Sequence, residues 1–208
     1  MRNLLSYFLL ALLNLQQQAV AQSTGQYCDS TSQVCYLQYS WGTTIPVFRL
    51  AVPDSASTGG NYDTLLQVVA PVSVKWAGFS WGGGMTSNPL TVVWPNGNSA
   101  TVSSRWATSR TLPTVYSSAT YKTVSASNNG THWTVETVCS GCSTWSGGSL
   151  STTGTDTFAW AVGRNAVSQP ADPSSSFSVH DTIGTFSGAL SQGTVPQATF
   201  DEHIKNAS

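Results

Sequence analysis

Short runs rich in β-branched and aromatic residues recur along this chain between turn signals. They are Gln33 to Tyr39, Val47 to Val52, Thr64 to Ala70, Val72 to Trp81, Leu90 to Trp94, Ala100 to Trp106, Tyr121 to Ala126, Thr131 to Cys139 and Thr157 to Val162. Such residues suit a pleated, half-buried surface, and their repeated short spacing predicts an all-β chain folded as a sandwich. Pro95-Asn96-Gly97-Asn98 and Asn128-Asn129-Gly130 fall between runs and predict hairpin turns, because Asn-Gly tolerates positive φ. Along Thr131 to Val138, a period of two places Trp133 and Val135 on one face and His132, Thr134 and Glu136 on the other. That puts His132 toward solvent.

Composition narrows the class further. A length of 208 residues fits one domain with a sizeable core. Only 8% of residues are charged and the net charge is −1, which gives no basic footprint for nucleic acid or an anionic membrane. Abundant Ser and Thr with 11% aromatics, including eight Trp, fit many short strands and polar turns better than helices or disorder.

The N-terminus has the layout of a secretory signal peptide: Arg2, an apolar stretch from Leu4 to Leu15, then Ala19-Val20-Ala21 before Gln22. We therefore expect a signal peptide over residues 1–21 and a secreted, extracellular product. Nothing later reaches the ~18 apolar residues of a membrane helix. Asn129-Gly130-Thr131 matches a glycosylation acceptor in a turn, and Asn206-Ala207-Ser208 matches at the extreme end. Four cysteines in an oxidising compartment allow three pairings, and we expect the local ones, Cys28 with Cys35 and Cys139 with Cys142. Cys139-Ser140-Gly141-Cys142 also has the spacing of half a zinc site or of a redox dithiol, but no second pair with metal spacing and no βαβ pattern accompany it. Ser143 follows Cys142, so the covalent haem attachment C-x-x-C-H is absent.

Trp76-Ala77-Gly78-Phe79-Ser80-Trp81-Gly82-Gly83-Gly84-Met85 sets three aromatic rings beside three glycines and the only methionine apart from the initiator. A methionine there is either a gap-filler in a turn or a soft ligand for haem iron, with bare glycines letting backbone lie against a flat macrocycle. A histidine partner would be needed in the second case. His203 lies in a terminal segment where Thr199-x-x-Glu202 resembles a capping box opening a short helix through Lys205, which makes it a solvated side chain rather than a ligand. His180 follows the Pro-, Ser- and Asp-rich loop Gln169 to Ser176 in an apolar setting, and is either a hydrogen-bonded loop histidine or the ligand. No G-x-G-x-x-G follows a strand, so a dinucleotide site is not encoded.

Several stretches, in order, resemble the haem b cytochrome domain of fungal cellobiose dehydrogenases. These are Thr64 to Pro71, Trp76 to Met85, Asn88 to Gly97, His132-Trp133, Cys139 to Cys142 and Ser178-Val179-His180-Asp181. The resemblance runs from about Tyr27 to about Leu190. It implies an immunoglobulin-like, antiparallel β-sandwich of the DOMON-like (iron reductase) type holding one noncovalent haem b, with Met85 and His180 as axial ligands. Trp94 matches a tryptophan near the haem or is a core aromatic at a strand end. Arg105 and Tyr121 are offered as haem propionate contacts or as surface groups. The resulting organisation is a signal peptide at 1–21, a cytochrome domain at 22–190 and a tail with a short helix at 191–208. Relatives carry a flavin dehydrogenase domain after this one. The present sequence ends at Ser208, which leaves open a stand-alone cytochrome and a piece of a longer protein.

Iron closed on both axial sides has no open position for substrate, so the implied role is one-electron transfer without a catalytic site of its own. The family resemblance makes flavin dehydrogenases the donors and copper polysaccharide monooxygenases, ferric complexes or quinones the acceptors, with the chain a monomer in small, transient contacts. The alternative is a secreted carbohydrate-binding β-sandwich using its eight Trp as sugar platforms. A glycoside hydrolase lacks an obvious carboxylate pair, and a copper oxidase built on an N-terminal histidine is unavailable to a mature chain starting at Gln22.

Overall fold

The computed structural model describes residues 22–208, so the predicted signal peptide lies outside the described residues. Chain order runs β1 (Ser23–Cys28), β2 (Cys35–Ser40), β3 (Val47–Pro53), β4 (Thr64–Pro71), β5 (Trp76–Ser80), β6 (Leu90–Asn96), β7 (Ser99–Trp106) and β8 (Thr114–Val115). It continues with β9 (Thr120–Asn128), β10 (His132–Ser140), β11 (Thr144–Trp145), β12 (Gly148–Ser149), β13 (Asp156–Gly163), β14 (Thr182–Gly188), a 3-10 turn at Leu190–Gly193, β15 (Thr194–Val195) and α1 (Gln197–Ile204). One large sheet has the order β1-β2-β3-β4-β10-β9, with β15 pairing β3, the other large sheet has the order β14-β13-β5-β6-β7-β8, and β11 and β12 pair in a small two-stranded sheet. Among the described residues only the β15–β3 pairing is parallel. This is the antiparallel β-sandwich that the sequence predicts.

Period-two alternation builds the core between the sheets. Leu37, Tyr39, Phe48, Leu50, Leu66, Val68, Trp133 and Val135 from the first sheet meet Ala77, Phe79, Val93, Phe158, Trp160, Val162 and Phe186 from the second. Phe79 is the hub, with ring centroids 5.0 Å from Trp81, 5.4 Å from Phe158 and, across the sandwich, 5.6 Å from Phe48. A buried aromatic of this kind contributes about 3–5 kcal/mol when judged by its truncation to alanine. Trp133 points inward, as the alternation predicts, and its indole donates to the carbonyl of Val74 at 2.9 Å.

Both Asn-Gly turns form. Gly97, at φ 63°, closes β6 onto β7, and Gly130, at φ 84°, closes β9 onto β10. Cys28 pairs with Cys35 and Cys139 with Cys142, so the Cys-x-x-Cys segment is a local staple, not half a metal site. The run Val72 to Trp81 is shorter as a strand: β5 begins at Trp76, and a turn with Val74 N–H donating to the Pro71 carbonyl precedes it.

The face of the first sheet turned away from the second is covered by the C-terminal segment, and here two expectations are corrected. The helix starts at Gln197, so Thr199 is inside it and forms no cap. Its N-terminus is instead satisfied by Asp54, whose carboxylate accepts from the Gln197 N–H at 3.0 Å. His203 is not solvated: its Nε2 lies 3.1 Å from the carboxylate of Glu136. Glu136 is on the face assigned to solvent, yet it is 3% exposed, because Phe200, Val195, Val34, Tyr36 and Val138 pack a second small core over that face. His132, past the end of that cover, is exposed as expected.

Candidate functional site

The second sheet also has a free outer face, and its residues decide what can lie there. Across β14, β13, β5 and β6 the register sets two rows side by side, Ile183–Ala161–Gly78–Val92 and Thr185–Ala159–Ser80–Leu90. The four central positions have no side chain or only a short one. The middle of the face is therefore flat, while the loops around it are raised. The result is a cavity of about 750 Å³ with predominantly apolar walls, within the usual ~300–1,000 Å³ of a small-molecule or cofactor site.

Met85 and His180 both line this cavity. Met85 is delivered by the β5–β6 loop. The carbonyl of Gly84, immediately before it, accepts from the Ser80 hydroxyl at 2.5 Å and from the Asn88 side-chain amide at 3.1 Å. Asn88 also donates to the Thr86 carbonyl at 2.9 Å, so the methionine sits inside a clamp. The glycines have separate reasons. Gly83 has φ 78°, and a Cβ there would lie 2.9 Å from the Thr157 carbonyl oxygen. A Cβ on Gly82 would run into Asn88 and Trp145. A Cβ on Gly84 would meet only the Asn88 amide, at an ordinary 3.7 Å, and Gly84 with Gly83 contributes to the wall.

His180 is delivered by the β13–β14 connection. Asp181 fixes the exit: its N–H donates to the Val162 carbonyl at 2.8 Å, and its carboxylate accepts from the Arg164 N–H at 2.6 Å. Upstream, Phe177 lines the cavity and packs on Trp76 at 4.8 Å between ring centroids, and the Trp76 indole donates to the Ser178 hydroxyl at 3.3 Å.

The other three positions singled out from the sequence lie outside the lining, for identifiable reasons. Trp94 is fully buried behind Phe177, at 6.3 Å between centroids, and its indole donates to the Pro170 carbonyl at 2.9 Å. Tyr121 is on the first sheet, where its hydroxyl meets Thr91 Oγ1 at 2.7 Å and Cys142 Sγ at 3.2 Å, and burial pushes the phenol pKa up. Arg105 is 3% exposed, and all its nitrogens are engaged by protein oxygens. None of the three is free to meet a bound carboxylate.

Sequence reasoning missed the residues that shape the cavity. Arg110, exposed in the segment 110–113 that joins β7 to β8 and ends on the buried Pro113, lines the cavity and is the only Lys or Arg to do so among the described residues. Nothing in the sequence distinguishes it from a solvated loop charge. The floor did carry a signal: Gly78 and Ser80, like Ala159 and Ala161, are small residues repeating with a period of two on strands otherwise rich in bulky ones.

The fold and the cavity define a β-sandwich domain with a cavity on the outer face of one sheet and a thioether and an imidazole in its walls. The profile of a family described as the cytochrome domain of cellobiose dehydrogenase matches residues 27–202, and the chain belongs to that family. Pyrroloquinoline quinone-dependent pyranose dehydrogenase from Coprinopsis cinerea is 33% identical over 186 residues, covering 83% of this chain. The chain spans 24%, about a quarter, of the length of that relative. The cytochrome b domain of pyranose dehydrogenase from the same organism superposes with a TM-score of 0.80 at 27% identity, covering 89% of this chain and 97% of that one. The cytochrome domain of Myriococcum thermophilum cellobiose dehydrogenase, at 24% identity, shares the fold with a TM-score of 0.77, covering 92% and 98%.

Proposed function

We propose that the cavity holds one noncovalent haem b with Met85 and His180 as the iron ligands, and that the chain carries single electrons. The observation that supports this most is the meeting of these two side chains, remote in sequence, in the walls of one flat-floored apolar cavity. The fit is chemical as well as spatial. A thioether and an imidazole together suit haem iron, and a floor of Gly78, Ser80, Ala159 and Ala161 accepts a planar macrocycle without a protruding side chain. When bound, haem supplies a one-electron couple with no coordination position left for substrate.

The protein's own residues do the remaining work. Ser80 and Asn88 hold the loop that presents Met85, and Asp181 holds the turn that presents His180. The apolar walls exclude water, and Arg110 at the rim is the cation available to a carboxylate substituent. The exposed side chains of Leu112, Val179 and Ile183 surround the cavity mouth, where a partner can approach closely.

The donor on this reading is a sugar-oxidising dehydrogenase module. A flavin enzyme fits the family, and the pyrroloquinoline quinone-dependent relative extends the class to quinone cofactors. The acceptors are copper polysaccharide monooxygenases, ferric complexes or quinones. The chain is a secreted monomer, glycosylated at Asn129, whose side chain is exposed in the β9–β10 turn. Among the described residues no helix is long and apolar enough to cross a membrane. The carbohydrate-binding alternative loses five of its eight tryptophan platforms, because Trp76, Trp81, Trp94, Trp133 and Trp160 are buried.

The test is rapid mixing of the haem-loaded protein with a flavin or quinone sugar dehydrogenase and its sugar, followed by a ferric complex. Haem reduction in the first step and reoxidation in the second are expected. Reduction by sugar without any dehydrogenase, or no reduction with either class, would contradict the carrier role.

A further inference from the structure

Arg105 is a buried cation with no carboxylate in salt-bridge contact among the described residues. Burying an unpaired guanidinium is costly, and hydrogen bonds to oxygen dipoles offset that cost here. Its Nε donates to Ser103 Oγ at 2.6 Å and Nη1 to the Pro113 carbonyl at 3.1 Å. Nη2 donates to the carbonyls of Pro173 at 2.9 Å and Ser175 at 2.6 Å. Desolvation lowers its pKa, and Asp172 opposes that from a distance.

The partners belong to two separate segments. Pro113 ends the Arg110–Pro113 rim, whereas Pro173 and Ser175 belong to the loop that leads through Phe177 to His180, and both segments line the cavity. The guanidinium also lies 5.3 Å from the centroid of the Phe177 ring, a cation–π contact on the cavity wall itself. The neighbours of Arg105 on the same outer face repeat the pattern. Ser103 and Thr101 donate to the carbonyls of Pro173 and Pro170, each at 2.5 Å. Those two bonds reach only the histidine-bearing loop, so Arg105 alone on this strand spans both rims.

We infer that Arg105 is a positioning residue that ties the two rims of the cavity together and sets the loop bearing His180 against the iron site. The inference rests on the haem reading for its consequence and on the hydrogen bonds for its geometry. Only a planar fork with donors at three nitrogens reaches both segments at once, so lysine keeps the charge without replacing the span.

The experiment compares wild type, Arg105→Lys and Arg105→Met in two measurements. Amide hydrogen exchange of the haem-free proteins is expected to accelerate by about tenfold or more at 110–112 and at the non-proline positions of 169–181 together in both variants. That is the scale of losing a hydrogen bond to a charged group. Exchange in the central strands β4 and β10 stays as in wild type. In the haem-loaded proteins, both variants gain a high-spin ferric component and bind haem about tenfold or more weakly, because His180 is no longer held in place. Unchanged exchange in the two segments, acceleration spread over both sheets, or full rescue by lysine would overturn the inference. If wild-type protein takes up no haem, the haem reading fails, and the exchange measurement still decides whether Arg105 is the tie.

Discussion

Ser80 and Gly84 are joined by a hydrogen bond of 2.5 Å from hydroxyl to carbonyl, and the residue after that carbonyl is Met85. Asn88 closes the same carbonyl from the other side. Asn88→Ala removes two donors from loop carbonyls at once and is expected to cost about 1–3 kcal/mol, the usual range for buried polar groups left unpaired. Ser80→Ala removes one and should cost about 1 kcal/mol. Urea unfolding of the haem-free variants checks both, and equal, negligible shifts would show that the clamp is not needed.

The three glycines before Met85 are not equivalent. Gly83→Ala forces a left-handed backbone on a residue with a Cβ 2.9 Å from the Thr157 carbonyl oxygen, so it should destabilise by about 1–2 kcal/mol or more. Gly84→Ala meets only the Asn88 amide, at 3.7 Å, and should be within about 0.5 kcal/mol of wild type. Denaturation midpoints of the pair measured together test the difference. A costly Gly84→Ala with a silent Gly83→Ala would reverse the assignment.

His203 and Glu136 give the C-terminal helix a pH dependence. The Glu136 carboxylate 3.1 Å away raises the His203 pKa above 6.5, with burial acting against it. The folded chain therefore holds the proton more tightly than the unfolded chain. The contribution is complete below the unfolded value and is lost as pH rises through the higher folded one. Stability should fall over that window in wild type and stay flatter in His203→Gln. Thermal unfolding from pH 5 to 9 is the measurement, and identical profiles would exclude the pair as the source.

Much of this was legible in the sequence because the signals were local. Asn-Gly pairs dictated two hairpins, cysteine proximity gave the staples, and alternation around Trp133 identified an inward face. The strands β1 and β14 were missed because both lie at sheet edges. An edge strand has one neighbour and little to bury, so Thr182-Ile183-Gly184-Thr185 carries no strong apolar pattern. The burial of Glu136 and Arg105 was not legible for a related reason. A polar residue in strand alternation signals a face turned away from the core, but not whether a later segment will cover that face. The C-terminal helix covers Glu136, and the loop at 169–177 covers Arg105.

On the reading proposed above, Met85 and His180 act on one iron through the same cavity. The direct measurement is the visible spectrum of the purified protein after haem loading, for wild type, His180→Ala and His132→Ala. Wild type and His132→Ala should take up one haem and show the sharp bands of a six-coordinate, low-spin iron when reduced. His180→Ala should retain the folded β-sandwich by circular dichroism and lose stable haem binding, because a noncovalent haem then lacks its strongest ligand. Normal haem content and unchanged bands in His180→Ala would contradict the central claim.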